Sequence, residues 1–258
     1  MSEAQSVNEP TFDISIVIPC YNEEKNIAKS IKKLICYLQA QSWKSEIIIG
    51  NDGSNDNTVP QSEKAFFINQ WDSYLIVEHF PNRGRGSILK KTFQKARGKF
   101  VVYMDADLAT NLNHINDMMK ILNEGVPVVT GSRLLPESKV SRPILREILS
   151  RGYNQLVRLF FWDGIKDHQC GFKGMDYRVI PQIFQIVESK GWFWDTETLI
   201  LSKKLLGFEV REIAIHWTEY RGKKESKVNI LNTIQNYITK VFWLRKKLWR
   251  LRNQGYLA

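Results

Sequence analysis

Uninterrupted apolar runs are missing from this chain. No segment offers the roughly 18 consecutive apolar residues of a membrane-crossing helix, so none is expected. Cysteine is scarce. Cys20, Cys36 and Cys170 are odd in number and lack the paired spacing of a zinc site, so they read as reduced thiols of a cytosolic protein. The polar stretch from Met1 to Thr11 has no basic run followed by an apolar one, and no signal peptide is expected there. No Gly-x-Gly-x-x-Gly opens the first strand-to-helix turn, which argues against a dinucleotide-dependent dehydrogenase. Acidic residues are the minority, 27 against 37 Lys and Arg, for a formal charge of +10. Such an excess suits nucleic acid, an anionic bilayer or a phosphorylated substrate, and composition does not choose among them. Internal repeats and low-complexity linkers are absent too.

What is present is a folded α/β pattern. Hydrophobic residues make up 43% of the chain, enough for a sizeable core. Short β-branched runs predict strands over 13–19, 46–50, 74–78 and 99–104, with helical spacing over 22–39, 62–70 and 87–96 between them. This alternation argues for a mostly parallel sheet flanked by helices. Further on, the pattern predicts a strand over 126–130 and a basic, aromatic helix over 142–162. Helices over 178–187 and 197–206, with a strand or turn near Trp192 between them, and a strand over 210–217 follow. A basic loop (220–227) leads to a long amphipathic helix over 230–252. The expected organisation is a catalytic domain over 11–227 and a C-terminal basic amphipathic helix within 228–258.

In open α/β sheets, ligands bind beyond the carboxyl ends of the strands. Four polar clusters fall there: Pro19-Cys20-Tyr21-Asn22-Glu23, Asn51-Asp52-Gly53-Ser54, Asn82-Arg83-Gly84-Arg85-Gly86 and Asp105-Ala106-Asp107. Two carboxylates two residues apart can share Mg²⁺ or Mn²⁺ with a diphosphate, which supplies the remaining oxygen ligands. The metal would neutralise charge on a departing diphosphate. Solvated aspartates at a strand end are the bland alternative. The glycines of the third cluster could present N–H groups to a phosphate, or form a tight turn with two solvated arginines.

These clusters, PCYNEEKNI, NDGSNDNT, NRGRG and MDADLAT, resemble the family 2 glycosyltransferases of GT-A fold. The resemblance implies nucleotide contacts at Pro19, Tyr21, Glu23, Asp52, Gly84, Arg85 and Ala106, and a metal at Asp105 and Asp107. Gly131-Ser132-Arg133, Arg146 with Ser150, DHQCGFK (167–173), FWDTE (193–197) and the WTE strand end (217–219) are similar to a narrower branch, the dolichyl- and polyprenyl-phosphate glucose and mannose synthases. That branch implies transfer of a hexose to a polyisoprenyl phosphate, UDP-glucose being the favoured donor and GDP-mannose the next. It places Asp195 and Glu197 near the donor sugar as catalytic acids beside Asp105 and Asp107. An N-cap is the local alternative for Asp195.

A physical argument supports the acceptor separately. A hydroxyl acceptor needs a general base, whereas a phosphate monoester, with a second pKa of about 6, is already anionic. It needs positioning and charge compensation, which Arg133, Arg146 and Ser150 can supply. Arg221 and Lys227 could close over the diphosphate. With no spanning helix, the membrane would be met peripherally, from its cytosolic face, through the segment around 157–162 and the last helix. There Ile234, Ile238, Val241, Phe242, Leu244, Trp249 and Leu251 mix with Lys240, Arg245, Lys246, Lys247, Arg250 and Arg252. The rival readings are a family 2 enzyme using a glycan or other hydroxyl and, more remotely, a nucleic-acid binder. Nucleic acid is not expected as a partner, since the charge clusters behind a sugar-nucleotide-like half.

Overall fold

A computed structural model describes residues 9–219 and 230–256. The elements in chain order are β1 (Phe12–Cys20), α1 (Ile27–Gln39), β2 (Ser45–Asn51), α2 (Thr58–Ile68), β3 (Tyr74–Glu78) and α3 (Arg85–Phe93). Then follow β4 (Gly98–Met104), α4 (His114–Asn123), β5 (Val128–Ser132), β6 (Lys139–Ser141), α5 (Ile144–Phe161) and β7 (Phe172–Asp176). The chain ends with α6 (Ile180–Ile186), α7 (Trp194–Lys204), β8 (Val210–Ala214), β9 (His216–Thr218) and α8 (Ile230–Asn253).

Seven strands form one sheet in the order β3-β2-β1-β4-β7-β5-β8, and β6 pairs with β9 in a small second sheet. The sheet is parallel except for β7, which runs antiparallel to both β4 and β5. Strands β1, β2 and β4 are buried on both faces, which explains their near-continuous Ile and Val. One core, around Ile16, Ile31 and Ile115, fills the α1–α4 side, and the other, around Tyr103, Trp194 and Leu244, fills the α3–α5–α7–α8 side.

Three departures from the sequence expectation have local causes. The helix expected from residue 22 starts at Ile27, because Asn22 is left-handed (φ 54°). The N–H groups of Asn22, Glu23 and Glu24 donate instead to Ser54 Oγ, Thr58 Oγ1 and Asp56 Oδ2, at 2.9, 2.8 and 3.1 Å. Helix α4 went unread although Ile115, Met118, Met119 and Leu122 bury one face at helical spacing. Strand β7 hid because it carries Lys173 and Gly174. The glycine gives α4 close approach there: a Cβ would lie 2.5 Å from Met118 Sδ, which would have to shift.

The C-terminal helix is built into this core. Val241, Leu244, Leu248 and Leu251 are buried, so the helix expected within 228–258 packs one face on the core. Lys247, one of the basic residues expected to meet the membrane, is only 3% exposed. Its Nζ lies 2.7 Å from Glu197 and 2.9 Å from Glu188. Glu197 Oε1 and Oε2 also accept the N–H groups of Glu188 and Ser189 at 3.1 and 2.7 Å. Removing one member of a buried pair strands the other charge. Lys247→Met should therefore cost about 3–5 kcal/mol in urea unfolding, and adding Glu197→Gln should recover part of it.

Candidate active site

Parallel β1, β2, β3 and β4 bring their carboxyl ends, and with them the four polar clusters, to one edge of the sheet. Because β7 is antiparallel, its amino end arrives at the same edge: Met104 pairs with Phe172, and the Asp105 N–H donates to the Gly171 carbonyl at 3.2 Å. The reversed strand thus lays the 167–171 segment beside the Asp-x-Asp. Gly171 makes room for Asp105; a Cβ there would sit 2.0 Å from Asp105 Oδ2.

At the centre lies a closed network of charges. Arg85, the first residue of α3, bridges Asp105 Oδ1 at 2.6 Å and Asp195 Oδ2 at 2.7 Å. Its guanidinium lies between the rings of Tyr103 and Trp192, 5.1 and 4.7 Å from their centroids. The other oxygen of Asp195 accepts from Lys173 Nζ at 2.9 Å and from the Tyr103 hydroxyl. Burial opposes the charge on Arg85, but Asp105 and Asp195 outweigh it and raise its pKa. Burial pushes the Asp195 carboxyl up to about 6, against the pull of Arg85, and pushes Lys173 down to about 7. Lys173 and Tyr103 were not foreseen as site residues. Local spacing carries no signal for either: Lys173 itself breaks the pattern of β7, and only its burial shows that the ammonium requires partners.

The other expected residues divide. Asp107 and Ala106 follow Asp105 directly; Asp107 Oδ1 accepts the Ala109 N–H at 3.2 Å, and the Ala106 carbonyl accepts Ser30 Oγ at 2.6 Å. Pro19 is buried at the end of β1, Tyr21 is exposed beside it, and Glu23 is buried in the following turn. Asp52 is buried and accepts the N–H groups of Arg83 and Gly84 at 3.0 and 2.7 Å. Of the loop expected to face a phosphate, the Gly84 N–H is therefore directed at Asp52, with Gly84 itself left-handed (φ 101°). The N-cap position of α7 is Phe193, and Asp195 lies inside the first turn, with its oxygens engaged by Arg85, Lys173 and Tyr103. Glu197, two positions on, faces away from Asp195 towards α8, so the structure does not bring it to the cluster.

Arg133 follows β5 and is gripped by Asp167, Nε and Nη2 lying 2.7 and 2.9 Å from its two oxygens. Burial opposes ionisation of Asp167, yet Arg133 holds its pKa far below the usual carboxylate range. Arg146, about half exposed on α5, pairs with Glu219. Ser150 lies one turn beyond it, its Oγ buried without a hydrogen-bond partner among the described residues. Arg221 and Lys227 lie outside the described residues.

Sequence comparison agrees with this geometry. The Glycosyl transferase family 2 profile matches residues 15–184. The chain belongs to that family, and it is a glycosyltransferase. Glycosyltransferase AglD of Haloferax volcanii is 35% identical over 228 residues, 86% of this chain but only 35% of AglD, so the chain spans about a third of that relative. The dolichyl-phosphate beta-glucosyltransferase of Saccharomyces cerevisiae is 32% identical over 232 residues, covering 82% of this chain and 68% of the relative. The human dolichyl-phosphate beta-glucosyltransferase is 30% identical over 230 residues, covering 84% and 71%. Among solved structures, glucosyl-3-phosphoglycerate synthase of Mycobacterium tuberculosis, crystallised with Mn²⁺, UDP-glucose and phosphoglyceric acid, superposes with a TM-score of 0.65 at 15% identity. That match covers 91% of this chain and 80% of the synthase, and it establishes the GT-A fold.

The donor set at the sheet edge fits a divalent cation. Among the described residues no three His, Cys, Asp or Glu groups form a complete metal cage. Mg²⁺ and Mn²⁺ accept one or two carboxylates when phosphate oxygens complete the shell, and Asp105 and Asp107 are the two carboxylates that directly follow β4.

Asp195 gives this network a pH signature. A carboxyl whose pKa is raised by folding adds stability at pH below its unfolded value, and that contribution disappears as pH rises through the folded value. With values of 3.8 and about 6, the stability of the native protein relative to Asp195→Asn should fall by about 2 kcal/mol between pH 4 and pH 6. Urea unfolding of both proteins across that window measures it; a constant difference would contradict a protonated buried carboxyl.

Proposed function

We propose that the chain transfers glucose from UDP-glucose to the phosphate of a polyisoprenyl, dolichyl-type lipid at the cytosolic face of a membrane, with inversion at the anomeric carbon. The observation that carries this reading is the Arg85–Asp105–Asp195 network at the strand ends. It occurs in a chain whose yeast and human relatives are dolichyl-phosphate beta-glucosyltransferases. UDP-glucose is α-linked, so a β product corresponds to displacement from the opposite face. An acceptor phosphate oxygen bonds to the anomeric carbon as the bond to the diphosphate oxygen breaks, and UDP departs with the electron pair.

The residues divide this work by position. Asp105 and Asp107 would hold Mg²⁺ or Mn²⁺ with the diphosphate, and the cation, when bound, supplies Lewis-acid stabilisation of the leaving group. Arg85, fixed by Asp195, keeps a positive charge against the same edge. Pro19, Tyr21 and Glu23 line the adjoining strand end for the nucleotide, with Asp52 holding the third loop in place. Arg133, held rigid by Asp167 and lying 5.8 Å from the Trp217 ring centroid, retains donor capacity for the acceptor phosphate. Arg146 and the unpartnered Ser150 hydroxyl add to it. A hydroxyl acceptor would need a base, and both oxygens of Asp195 are already engaged by Arg85, Lys173 and Tyr103. That favours the phosphate acceptor.

Membrane contact would be peripheral. Among the described residues no helix is long and apolar enough to cross a bilayer. Helix α5 exposes Ile144, Leu145, Ile148 and Leu159, with Trp162 just beyond it, and α8 exposes Phe242 and Trp249.

The test supplies detergent-dispersed polyprenyl phosphate with UDP-glucose or GDP-mannose and Mg²⁺ or Mn²⁺. Glucosyl lipid should form, and Asp107→Asn should lower the rate at least about a hundredfold. Arg146→Ala should raise the acceptor KM about tenfold without changing UDP affinity. Absence of product from every donor would overturn the function, and unchanged acceptor kinetics in Arg146→Ala would overturn the phosphate assignment. Product from GDP-mannose alone would replace the donor.

A further inference from the structure

On the outer side of α5 a cavity of about 500 Å³ is lined by Leu134, Arg151, Gly152, Gln155, Arg158 and Lys166. Three cations meet there, and among the described residues no carboxylate lines it. The nearest compensation is Glu147, which pairs with Arg151 but is shared with Arg142. Among the described residues the Arg158 guanidinium, with five N–H donors, engages only the neutral side-chain carbonyl of Gln155, and its Nε has no acceptor. The Lys166 ammonium has no partner among the described residues; only its backbone N–H is engaged, by Glu212.

The surroundings define the ligand. Leu134 and Lys166 directly follow and precede Arg133 and Asp167, so the cavity abuts the outer side of that ion pair. Along the same exposed face of α5, Ile148, Gly152, Gln155 and Leu159 follow at intervals of three or four residues, and Trp162 continues the line. Ile148, Leu159 and Trp162 are 60%, 64% and 80% exposed. A basic hollow flanked by protruding aliphatic and indole side chains matches an anionic headgroup with its acyl boundary. We propose that this cavity binds the phosphate of an anionic bilayer phospholipid, a site separate from the acceptor phosphate, and seats α5 on the membrane. The proposal rests on the membrane reading above.

The probe is vesicles of phosphatidylcholine alone or with 30% phosphatidylglycerol, with the full chain partitioned by flotation. The native protein should favour the phosphatidylglycerol vesicles, and Arg158→Gln/Lys166→Gln should lose about tenfold or more of that preference. Lys246→Gln/Arg250→Gln on exposed α8 is the control and should lose less. Soluble glycerol phosphate should fail to displace the vesicles, because it lacks the acyl chains that Leu159 and Trp162 meet; efficient displacement would make the cavity a site for free phosphate esters. Equal preference in the native protein and the cavity variant, or greater loss in the α8 control, overturns the proposal. Transfer to detergent-dispersed acceptor is read in parallel. If transfer fails while the cavity-dependent partition persists, the function is wrong and the lipid site stands; the reverse outcome removes the lipid site alone.

Discussion

A single buried carboxylate, Asp195, ties together four elements that are remote in sequence. Arg85 of α3, Tyr103 of β4 and Lys173 of β7 all converge on the first turn of α7. Two cations and a hydroxyl surround one carboxylate in a nearly dry site, where an unmatched charge would be costly. The network closes only if β7 runs antiparallel beside β4, because only then does the amino end of β7 reach the edge where the parallel strands finish. The reversed strand, the buried lysine and the glycine against Asp105 are parts of one arrangement. It places Asp105 and Asp107 at the strand ends with an arginine already fixed beside Asp105.

Helix α7 works in two directions. Asp195 faces Arg85, Tyr103 and Lys173, while Glu197 faces Lys247 of α8 and the 188–189 turn that precedes the helix. The Lys190 carbonyl of the same segment accepts the Ser87 N–H at 3.1 Å, at the start of α3. The C-terminal helix is thereby linked mechanically to the loop carrying Arg85. That connection explains why two acids of one short motif serve different purposes: two residues apart on a helix, they face opposite ways.

The sequence made the first half of the fold legible because its strands are uniformly buried and bounded by turn residues. The expected strand 74–78 matches β3 residue for residue, and the others shift by one or two positions at their ends. The second half was harder. In β7 the pattern is broken by Lys173 and Gly174, which are explained only by contacts with Asp195 and Met118. The expected strand over 210–217 is two strands that join different sheets. The strand-end clusters announced the site, but the pairing of Arg85 with Asp195 spans 110 residues and leaves no trace in local spacing. Lys247 sat among other basic residues with nothing local to separate it from the solvated ones; only burial against Glu197 does that.

The central claim is that this sheet edge binds a nucleoside diphosphate through a cation held at Asp105 and Asp107. Calorimetric titration of UDP, with and without Mn²⁺, tests it most directly. UDP should bind the native protein at least about tenfold more tightly when Mn²⁺ is present, and Asp105→Asn should bind it weakly and equally in both conditions. UDP binding by the native protein that ignores the metal, or that persists unchanged with metal in Asp105→Asn, would contradict the account.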